Sequence, residues 1–333
     1  MYASPKLAPI FYSSLVALLP FNAFSQDAAS TRGFSGVVSI HAGVSQSQSQ
    51  HNTHDDNSVT KDLSNKGKQV NQIVPMILGR LQYSFGDTLI FLGNSEEQIA
   101  EANFQAELGL SHELNNDVAF TVALFGSVPN LNEVWRDPYL TDIARSTTDQ
   151  SISGMRLAFD FYSPIPFSIK YAFAQSDVDK DEIGLSQKLN ETQRALLYRD
   201  SDYHRFGSEV LFNIGPYLSI APGFYYSFRD ADGKAKTFHE LSGQVSFAVS
   251  TSKHTFTTTL RNSIAEFDTA NPLFNKKQDY QSLGLFSLYS YQEIFNLSNT
   301  NLNVMMGYQT TNSDIAFYSS KNLFISTGVS YKF

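Results

Sequence analysis

Hydrophobic and polar residues alternate along most of this chain, in segments of about ten residues that end at turn-forming residues. In the last segment Ile325, Thr327, Val329, Tyr331 and Phe333 all fall on one face. A period of two is typical of a β-strand with one apolar face and one polar face. The same pattern begins near residue 34 and recurs up to the C-terminus, so it predicts an all-β protein.

The connections between these segments alternate between short and long. Short ones carry turn residues, as at Gly86-Asp87 and Gly215-Pro216, whereas residues 129–150 and 177–202 form long inserts. Because consecutive antiparallel strands reverse direction, all the long connections fall at one end of the sheet. We therefore predict a single antiparallel transmembrane β-barrel of about fourteen strands (range twelve to sixteen), with short periplasmic turns and long extracellular loops.

The composition supports a barrel that faces lipid. The 333 residues include 27 Phe and 17 Tyr but one Trp, and most of these rings fall on the predicted outward faces. Cysteine is absent, which excludes disulfides, thiolate catalysis and Cys-ligated zinc. The net charge of -8 and the lack of a basic run argue against nucleic acid as a partner.

The first 25 residues are typical of a secretory signal peptide. Lys6 precedes an apolar core, and Ala23 and Ser25 are small residues before a cleavage site at Gln26. We therefore predict a signal peptide over residues 1–25 and the barrel over residues 26–333. Export of a cysteine-free, strand-rich chain indicates the outer membrane of a Gram-negative bacterium, in contact with lipid and lipopolysaccharide.

The C-terminal strand resembles the insertion signal of outer-membrane barrels. That signal has a polar residue, a glycine two positions later, and aromatic residues three and five positions beyond the glycine. The matching residues are Ser326, Gly328, Tyr331 and Phe333. The resemblance implies recognition by the barrel-assembly machinery. We also expect this strand to pair with the first strand, since a β structure in lipid must close and leave no edge.

The alternate positions of the predicted strands face the lumen and include many charges. The predicted lumen residues are Arg80, Glu107, Arg156, Asp160, Lys170, Arg205, Glu209, Arg229, Glu240 and Arg261. Unpaired buried charge is costly, so the pattern favours a hydrated lumen in which opposite charges create a transverse field. The alternative is that these charges neutralise one another and only stabilise the barrel.

The two long inserts concentrate polar residues and leave their placement open. The first insert contains Trp135, Arg136, Asp137, Asp142, Arg145 and Asp149. It either folds into the lumen as a constriction or remains a surface loop. In the second insert the pattern predicts a short helix around residues 186–198, which would cap the mouth of the barrel.

Several blocks of sequence resemble a family of proteobacterial, porin-like outer-membrane β-barrel proteins catalogued only as a domain of unknown function. The matching blocks are Trp135, Asp137-Pro138-Tyr139-Leu140, Ala144-Arg145, Thr148-Asp149, Leu196-Leu197, Arg199-Asp200, Asp202 and Asn271-Pro272-Leu273-Phe274-Asn275. The similarity extends over the mature chain. It implies an outer-membrane location and brings no activity or catalytic residues.

No enzymatic, metal or cofactor site is predicted. The pattern of outer-membrane phospholipases, a His shortly before a Ser and an Asn on one strand, is missing. Asp177, Asp179 and Asp181 have the opening spacing of a calcium loop. However, Glu182 and Lys188 stand where that loop requires Gly and Glu.

The predicted function is passive diffusion of small hydrophilic solutes or ions through a porin-like channel. The alternative is a non-conducting barrel whose loops act as an adhesin, a receptor or a structural anchor. A fatty-acid transporter of similar size would carry an N-terminal plug, for which the short segment between the cleavage site and the first strand leaves no room.

Overall fold

The computed structural model describes residues 32–94, 106–127, 132–162 and 164–333. The predicted signal peptide lies outside these residues, as does the beginning of the fourth predicted strand. The strands are β1 (Gly33–Gln48), β2 (Gln69–Ser84), β3 (Thr88–Gly93), β4 (Ala106–Asn115), β5 (Val118–Gly126), β6 (Glu133–Trp135), β7 (Thr147–Phe161), β8 (Phe167–Val178), β9 (Ser201–Val210), β10 (Phe212–Ile214), β11 (Leu218–Ala231), β12 (Phe238–Ser250), β13 (His254–Phe267), β14 (Tyr280–Tyr291), β15 (Thr300–Ser313) and β16 (Ser320–Lys332).

Fourteen of these strands form a closed antiparallel ring, which confirms the predicted transmembrane barrel. Going round the ring, the order is β11-β12-β13-β14-β15-β16-β1-β2-β3-β4-β5-β7-β8-β9, and β9 pairs with β11 to close it. The first and last strands pair as predicted, with Ile40 opposite Val329. The short strands β6 and β10 pair only with β7 and β11, respectively, and stand outside the ring.

The outer surface of the ring is apolar. Along β1, Phe34, Ile40 and Val44 are exposed, whereas Ser39 and His41 on the alternate face are buried. The side chains of Ile73 and Ile77 on β2 are 80% and 78% exposed. Only a lipid environment makes such continuous exposure of large aliphatic side chains favourable.

The two ends of the ring differ, as the spacing predicted. At the turn end, β2–β3, β4–β5 and β12–β13 are joined by two or three residues each. At the loop end, β1–β2, β5–β7, β8–β9 and β13–β14 are joined by long segments. Aromatic side chains such as Tyr217, Tyr331 and Phe333 are exposed at the turn end, where amphipathic rings favour the membrane interface.

Helix is almost absent from the described residues. The one α-helix, α1, spans Glu191–Ala195 and begins with a capping box between Asn190 and Gln193. It is shorter than the helix predicted over residues 186–198, because Lys188 adopts a positive φ and residues 184–188 form tight turns instead. No helix among the described residues is long and apolar enough to cross a membrane.

Candidate functional site: a polar lumen beneath a cap of loops

The inward face of the ring buries its charges in pairs. Glu107 on β4 is fully buried, and Arg156 on β7 reaches it across β5. The Nη2 atom of Arg156 donates to one Glu107 oxygen at 2.6 Å, and its Nε atom lies 3.1 Å from both oxygens. A forked, charge-assisted pair of this kind is strong and geometrically specific.

A second network surrounds Glu209 on β9. Its carboxylate accepts hydrogen bonds from Lys170 Nζ at 3.1 Å, from Gln244 Nε2 at 2.9 Å and from the Tyr225 hydroxyl. The ring of Tyr225 lies flat against the wall because its neighbour in the register is Gly207, where a side chain would collide with it.

Two guanidinium groups stand over the same tyrosine ring. The Cζ atoms of Arg205 and Arg261 lie 4.5 Å and 5.2 Å from the centre of the Tyr225 ring. Cations at this distance are attracted by the ring face. The network therefore gathers cationic side chains from β8, β9 and β13 on one side of the lumen.

The remaining predicted lumen residues also have partners. Arg229 donates to the Ser201 hydroxyl at 3.1 Å and to the Arg199 carbonyl at 2.8 Å. Glu240 accepts from Tyr280 at 2.6 Å and from Ser242 at 2.9 Å. The other two are Arg80, which lies 3.9 Å from the centre of the Phe91 ring, and Asp160, which lines a small cleft at the turn end.

Between these charges the inward face carries small hydroxyl side chains. Ser246 and Thr259 share a hydrogen bond of 2.8 Å, and Ser242 and Ser263 share another of the same length. Such side chains are small, and their hydroxyl groups can also hydrogen-bond to water. The lumen wall is therefore polar over β11, β12 and β13.

Sequence reasoning missed an apolar patch on the opposite side of the lumen. Its buried members are Met76, Leu78, Phe286 and Met305, with Val74, Leu288 and Phe324 packed against them. Met76 and Leu78 have the same alternation as Arg80, which was assigned to the lumen, so the period of two already placed them inside. The lumen therefore has a charged side and an apolar side.

The loops at the other end of the molecule form a cap with its own apolar core. We define the cap as residues 49–68, 132–146, 179–200, 232–237, 268–279 and 314–319. The buried residues of its core are Tyr139, Ile183, Leu197, Ala235, Ile315, Phe317 and Tyr318. Leu63 and Phe274 pack against them, so six of the connections at the loop end contribute to one cluster.

Arg145 joins the first two of these loops. Its guanidinium donates to the carbonyl oxygens of Gln50 at 3.1 Å, Pro138 at 3.1 Å and Asn57, and Trp135 Nε1 donates to the same Gln50 carbonyl at 3.0 Å. The Arg145 Cζ atom also lies 4.6 Å from the centre of the Trp135 ring. Because Arg145 is buried, its guanidinium loses contact with water, and these hydrogen bonds replace the lost hydration.

Two further polar side chains join the 132–146 loop to the 179–200 loop. Asp137 accepts from the backbone N–H groups of Gly184 at 3.0 Å and Ser186 at 2.7 Å. Arg199 donates to the Trp135 carbonyl at 2.8 Å and forms an ion pair of 2.8 Å with Asp181. Asp181 is thus paired with an arginine rather than arranged as a calcium ligand.

Side chains from opposite walls meet at the centre of the cap. The hydroxyl groups of Tyr139 and Tyr318 share a hydrogen bond, and Asn271 Nδ2 donates to both at 3.0 Å. Lys236 Nζ donates to the Tyr318 hydroxyl at 2.7 Å and to Gln278 Oε1 at 3.2 Å. We call Tyr139, Lys236, Asn271 and Tyr318 the latch.

Burial shifts the titration of the latch. Desolvation raises the pKa of Tyr139 to about 12 and that of Tyr318 well above its usual value. Desolvation, with Arg229 and Arg199 nearby, lowers the pKa of Lys236 well below its usual value. Burial in the cap therefore shifts the titration equilibria of all three groups toward their neutral forms.

The structure divides the predicted constriction residues between the cap core and its surface. Trp135, Asp137 and Arg145 are buried in the cap and contact other loops, as described above. Arg136 is half-buried, Asp142 is exposed with its backbone N–H on the Thr60 carbonyl, and Asp149 lies on β7 opposite Glu133.

The family-like blocks of sequence converge in the same cap. These blocks supply Trp135 and Tyr139 from one loop, Leu197 and Arg199 from a second, and Asn271 from a third. Arg199 donates to the Trp135 carbonyl, Asn271 donates to the Tyr139 hydroxyl, and Leu197 belongs to the same apolar core as Tyr139. Sequence reasoning identified these residues without bringing them together. Two blocks rich in Asn, Pro and aromatic residues within long loops were the available signal.

The predicted assembly residues lie on β16. Ser326 is buried on the inward face, and Gly328 pairs with His41 on β1. Tyr331 and Phe333 face outward, and the Phe333 backbone exchanges hydrogen bonds of 2.9 and 3.0 Å with Gly36. Among the described residues, no group of three or more His, Asp or Glu side chains is placed to hold a metal ion.

Fold and site together define a transmembrane β-barrel with a packed loop cap and a lumen that has one charged side and one apolar side. The sequence model of the family described as "Protein of unknown function (DUF2860)" matches residues 33–332. The chain belongs to this family. No curated protein matches the sequence.

The solved structures that are similar to this chain include the following three. The outer membrane channel DcaP of Acinetobacter baumannii has a TM-score of 0.46 and 10% identity, covering 92% of this chain and 100% of that one. OmpT of Vibrio cholerae has a TM-score of 0.45 and 9% identity over 91% and 99% of the two chains. A FadL homologue of Pseudomonas aeruginosa has a TM-score of 0.43 and 9% identity over 90% of each.

Proposed function

We propose that this protein is an outer-membrane channel for passive diffusion of small hydrophilic solutes and ions. The observation that carries the proposal is the inward face of the ring, where charged and hydroxyl side chains follow one another along β8, β9, β11, β12 and β13. A dry core of fourteen strands would call for apolar side chains at these positions. A hydrated path suits the residues present.

The charge of the inward face favours anions. The predicted lumen set has six cationic residues, Arg80, Arg156, Lys170, Arg205, Arg229 and Arg261. Its four acidic residues are Glu107, Asp160, Glu209 and Glu240. Rings of Arg and Lys in a pore lower the energy of a passing anion. We therefore propose that small anions pass more readily than cations of the same size.

The apolar outer belt and the aromatic turn end suit the outer membrane of a Gram-negative bacterium. In that setting the loop end is extracellular and contacts lipopolysaccharide, and the turn end is periplasmic. Insertion by the barrel-assembly machinery through Ser326, Gly328, Tyr331 and Phe333 belongs to the same proposal. No chemical reaction, cofactor or nucleic-acid partner is assigned to the protein.

A second candidate function rests on the cap. Six loops share an apolar core and bury Arg145, Asp137 and Lys236. Surface loops that served only to connect strands would need neither a shared core nor buried polar side chains. A barrel that never conducts and presents these loops as a receptor, adhesin or structural surface would also preserve such a cap. The two candidates differ in whether ions pass.

Planar-bilayer recording of the refolded protein tests the channel. We expect discrete conductance steps and a reversal potential on the anion-selective side in a salt gradient. Arg205→Gln with Arg261→Gln should move that potential toward cations, whereas Lys321→Gln, on the outer face of β16, should leave it unchanged. Inserted barrels that stay silent even with the cap loosened by Arg145→Ala would favour the second candidate.

A further inference from the structure

The latch spans the mouth of the barrel. Tyr318 lies between β15 and β16, and Tyr139 lies between β5 and β7. Around the ring, six strands lie between these two connections on one side and eight on the other. Their hydroxyl groups nevertheless share a hydrogen bond at the centre of the cap. The contact therefore joins nearly opposite walls, above the lumen described in the channel proposal.

The amine of Lys236 is an unusual group for this position. The residue is 5% exposed, and its two hydrogen-bond acceptors, Tyr318 and Gln278, are both neutral. Among the described residues, its Nζ atom forms no ion pair with a carboxylate. A buried ammonium without a counter-ion is costly, whereas a neutral amine in the same place is tolerated.

The charged and titratable groups around the amine are mostly cationic or weakly acidic. They are Arg229 on β11, Arg199 and Asp181 on the 179–200 loop, Tyr318 on the 314–319 loop, Tyr139 on the 132–146 loop, and His51 on the 49–68 loop, whose ring stacks on Tyr318. Asp181 is already paired with Arg199. The Tyr318 ring centre lies 4.3 Å from Nζ and favours a cation. Burial and the two arginines outweigh it, so the surroundings oppose a positive charge at Lys236.

We propose that the cap is a proton-operated gate, in which protonation of Lys236 breaks the latch and lets the loops separate from the mouth. This inference rests on the proposed channel function and adds its regulation. In the closed cap the neutral amine donates to Tyr318 and Gln278. When the loops separate, the amine takes up one proton from solvent and becomes a hydrated ammonium.

The direction of the pH effect follows from the two states of Lys236. The closed cap holds the pKa of Lys236 below its usual value, and an open cap restores that value. Between the two pKa values, opening takes up a proton, so lowering the pH favours the open cap by up to tenfold per pH unit. Raising the pH through the same range favours the closed cap.

Open probability in planar bilayers between pH 9.5 and pH 7 is the test. This range lies below the raised pKa values of Tyr139 and Tyr318. The unmodified protein should open more often as the pH falls, and Lys236→Met should stay closed with no pH dependence. Lys234→Met is the matched control, because Lys234 lies in the same turn but is exposed, and it should behave like the unmodified protein.

A disulfide crosslink between two cap loops distinguishes a closed gate from the absence of a channel. The Asp142 backbone N–H donates to the Thr60 carbonyl at 2.8 Å, and the chain has no cysteine of its own. Thr60→Cys with Asp142→Cys should therefore form one disulfide that holds two loops together. The oxidised form should be silent at every pH, and reduction should restore opening.

Three results have distinct meanings. A pH-independent open probability in the unmodified protein overturns the proton-operated gate. An oxidised crosslinked form that conducts like the unmodified protein overturns the cap as a gate. Silence in every form, including Arg145→Ala and the reduced crosslink variant, overturns the channel function and the gate with it.

Discussion

The lumen wall and the cap both bury basic side chains, but the partners of those side chains differ. In the wall, Arg156 and Lys170 meet carboxylates of nearby strands, Glu107 and Glu209. In the cap, Arg145 meets backbone carbonyl oxygens of two loops and Lys236 meets neutral groups. In the wall the partners of these two basic side chains are carboxylates, whereas in the cap the partners are neutral dipoles.

This difference matters because the two regions are held together differently. Every strand of the ring has a backbone ladder on both sides, so removing one ion pair leaves the register intact. The loops of the cap are joined mainly by side chains and by single backbone hydrogen bonds. Regions with few backbone ladders open at lower free energy than a sheet does. A barrel wall held by backbone ladders and a loop cap held by side chains therefore share one chain.

The largest expected effect lies in the wall. Arg156→Met leaves the fully buried Glu107 without its forked partner, and breaking such a pair costs about 3–5 kcal/mol of unfolding free energy. Urea unfolding in detergent, followed by the heat-modifiable gel shift, measures it. Adding Glu107→Leu should recover most of the loss. If the single variant loses less than about 1 kcal/mol, the pair is solvated rather than buried.

The outward face of the wall should show the next effect. Leu260 is near the middle of β13 and faces outward, whereas Arg261 beside it faces the lumen. Leu260→Arg should cost roughly 2–4 kcal/mol of unfolding free energy in a bilayer, because it places a charge in hydrocarbon. Tyr217→Arg at the turn end is the control and should cost about 1 kcal/mol or less. Equal costs would mean that Leu260 does not face mid-bilayer lipid.

The cap should respond separately from the wall. Arg145→Ala leaves several buried carbonyl oxygens without a donor, which should lower the local opening free energy of the loops by about 2–3 kcal/mol. Hydrogen exchange of residues 49–68 and 132–146 should accelerate, while exchange in the barrel strands stays unchanged. Acceleration over the whole ring would contradict the separation of cap and wall.

The smallest expected thermodynamic effect is at the C-terminal strand. Phe333→Ala removes a ring contact with Phe34, at 6.0 Å between centroids, but keeps both backbone bonds to Gly36, so it should cost about 1 kcal/mol. If Phe333 is part of the assembly signal, the folded fraction in cells should fall much further than this. Tyr289→Ala, also at the turn end, is the control. Equal folded fractions would contradict the signal.

The barrel was predictable from sequence because lipid imposes one rule on every strand. Outward residues such as Ile40 and Leu260 must be apolar, so the period of two is visible without knowledge of any partner strand. Turn residues such as Gly86-Asp87 mark the points where the chain reverses. Because consecutive strands alternate in direction, each connection can then be assigned to one end of the barrel. The even strand count and the pairing of first and last strands follow from closure.

The cap was not predictable in the same way. Tyr139, Asn271 and Tyr318 are far apart in sequence, and no local pattern indicates that their side chains meet. The helix predicted over residues 186–198 is present but shorter for a related reason, since Asp137 of another loop binds the N–H groups of Gly184 and Ser186 and holds a turn there. The apolar lumen patch was overlooked because charged residues alternate onto the same face, and the whole inward face was therefore interpreted as polar.

The most direct test of the account is whether the cap separates the lumen from the outside. Ser227 faces the lumen between Arg205 and Glu240, and the chain has no native cysteine. In intact cells, Ser227→Cys should react slowly with a membrane-impermeant thiol reagent. When Arg145→Ala is added to loosen the cap, the labelling rate should rise at least about tenfold. A tenfold rise corresponds to a decrease of about 1.4 kcal/mol in the free energy of cap opening. Equal and rapid labelling in both forms would contradict a closed cap.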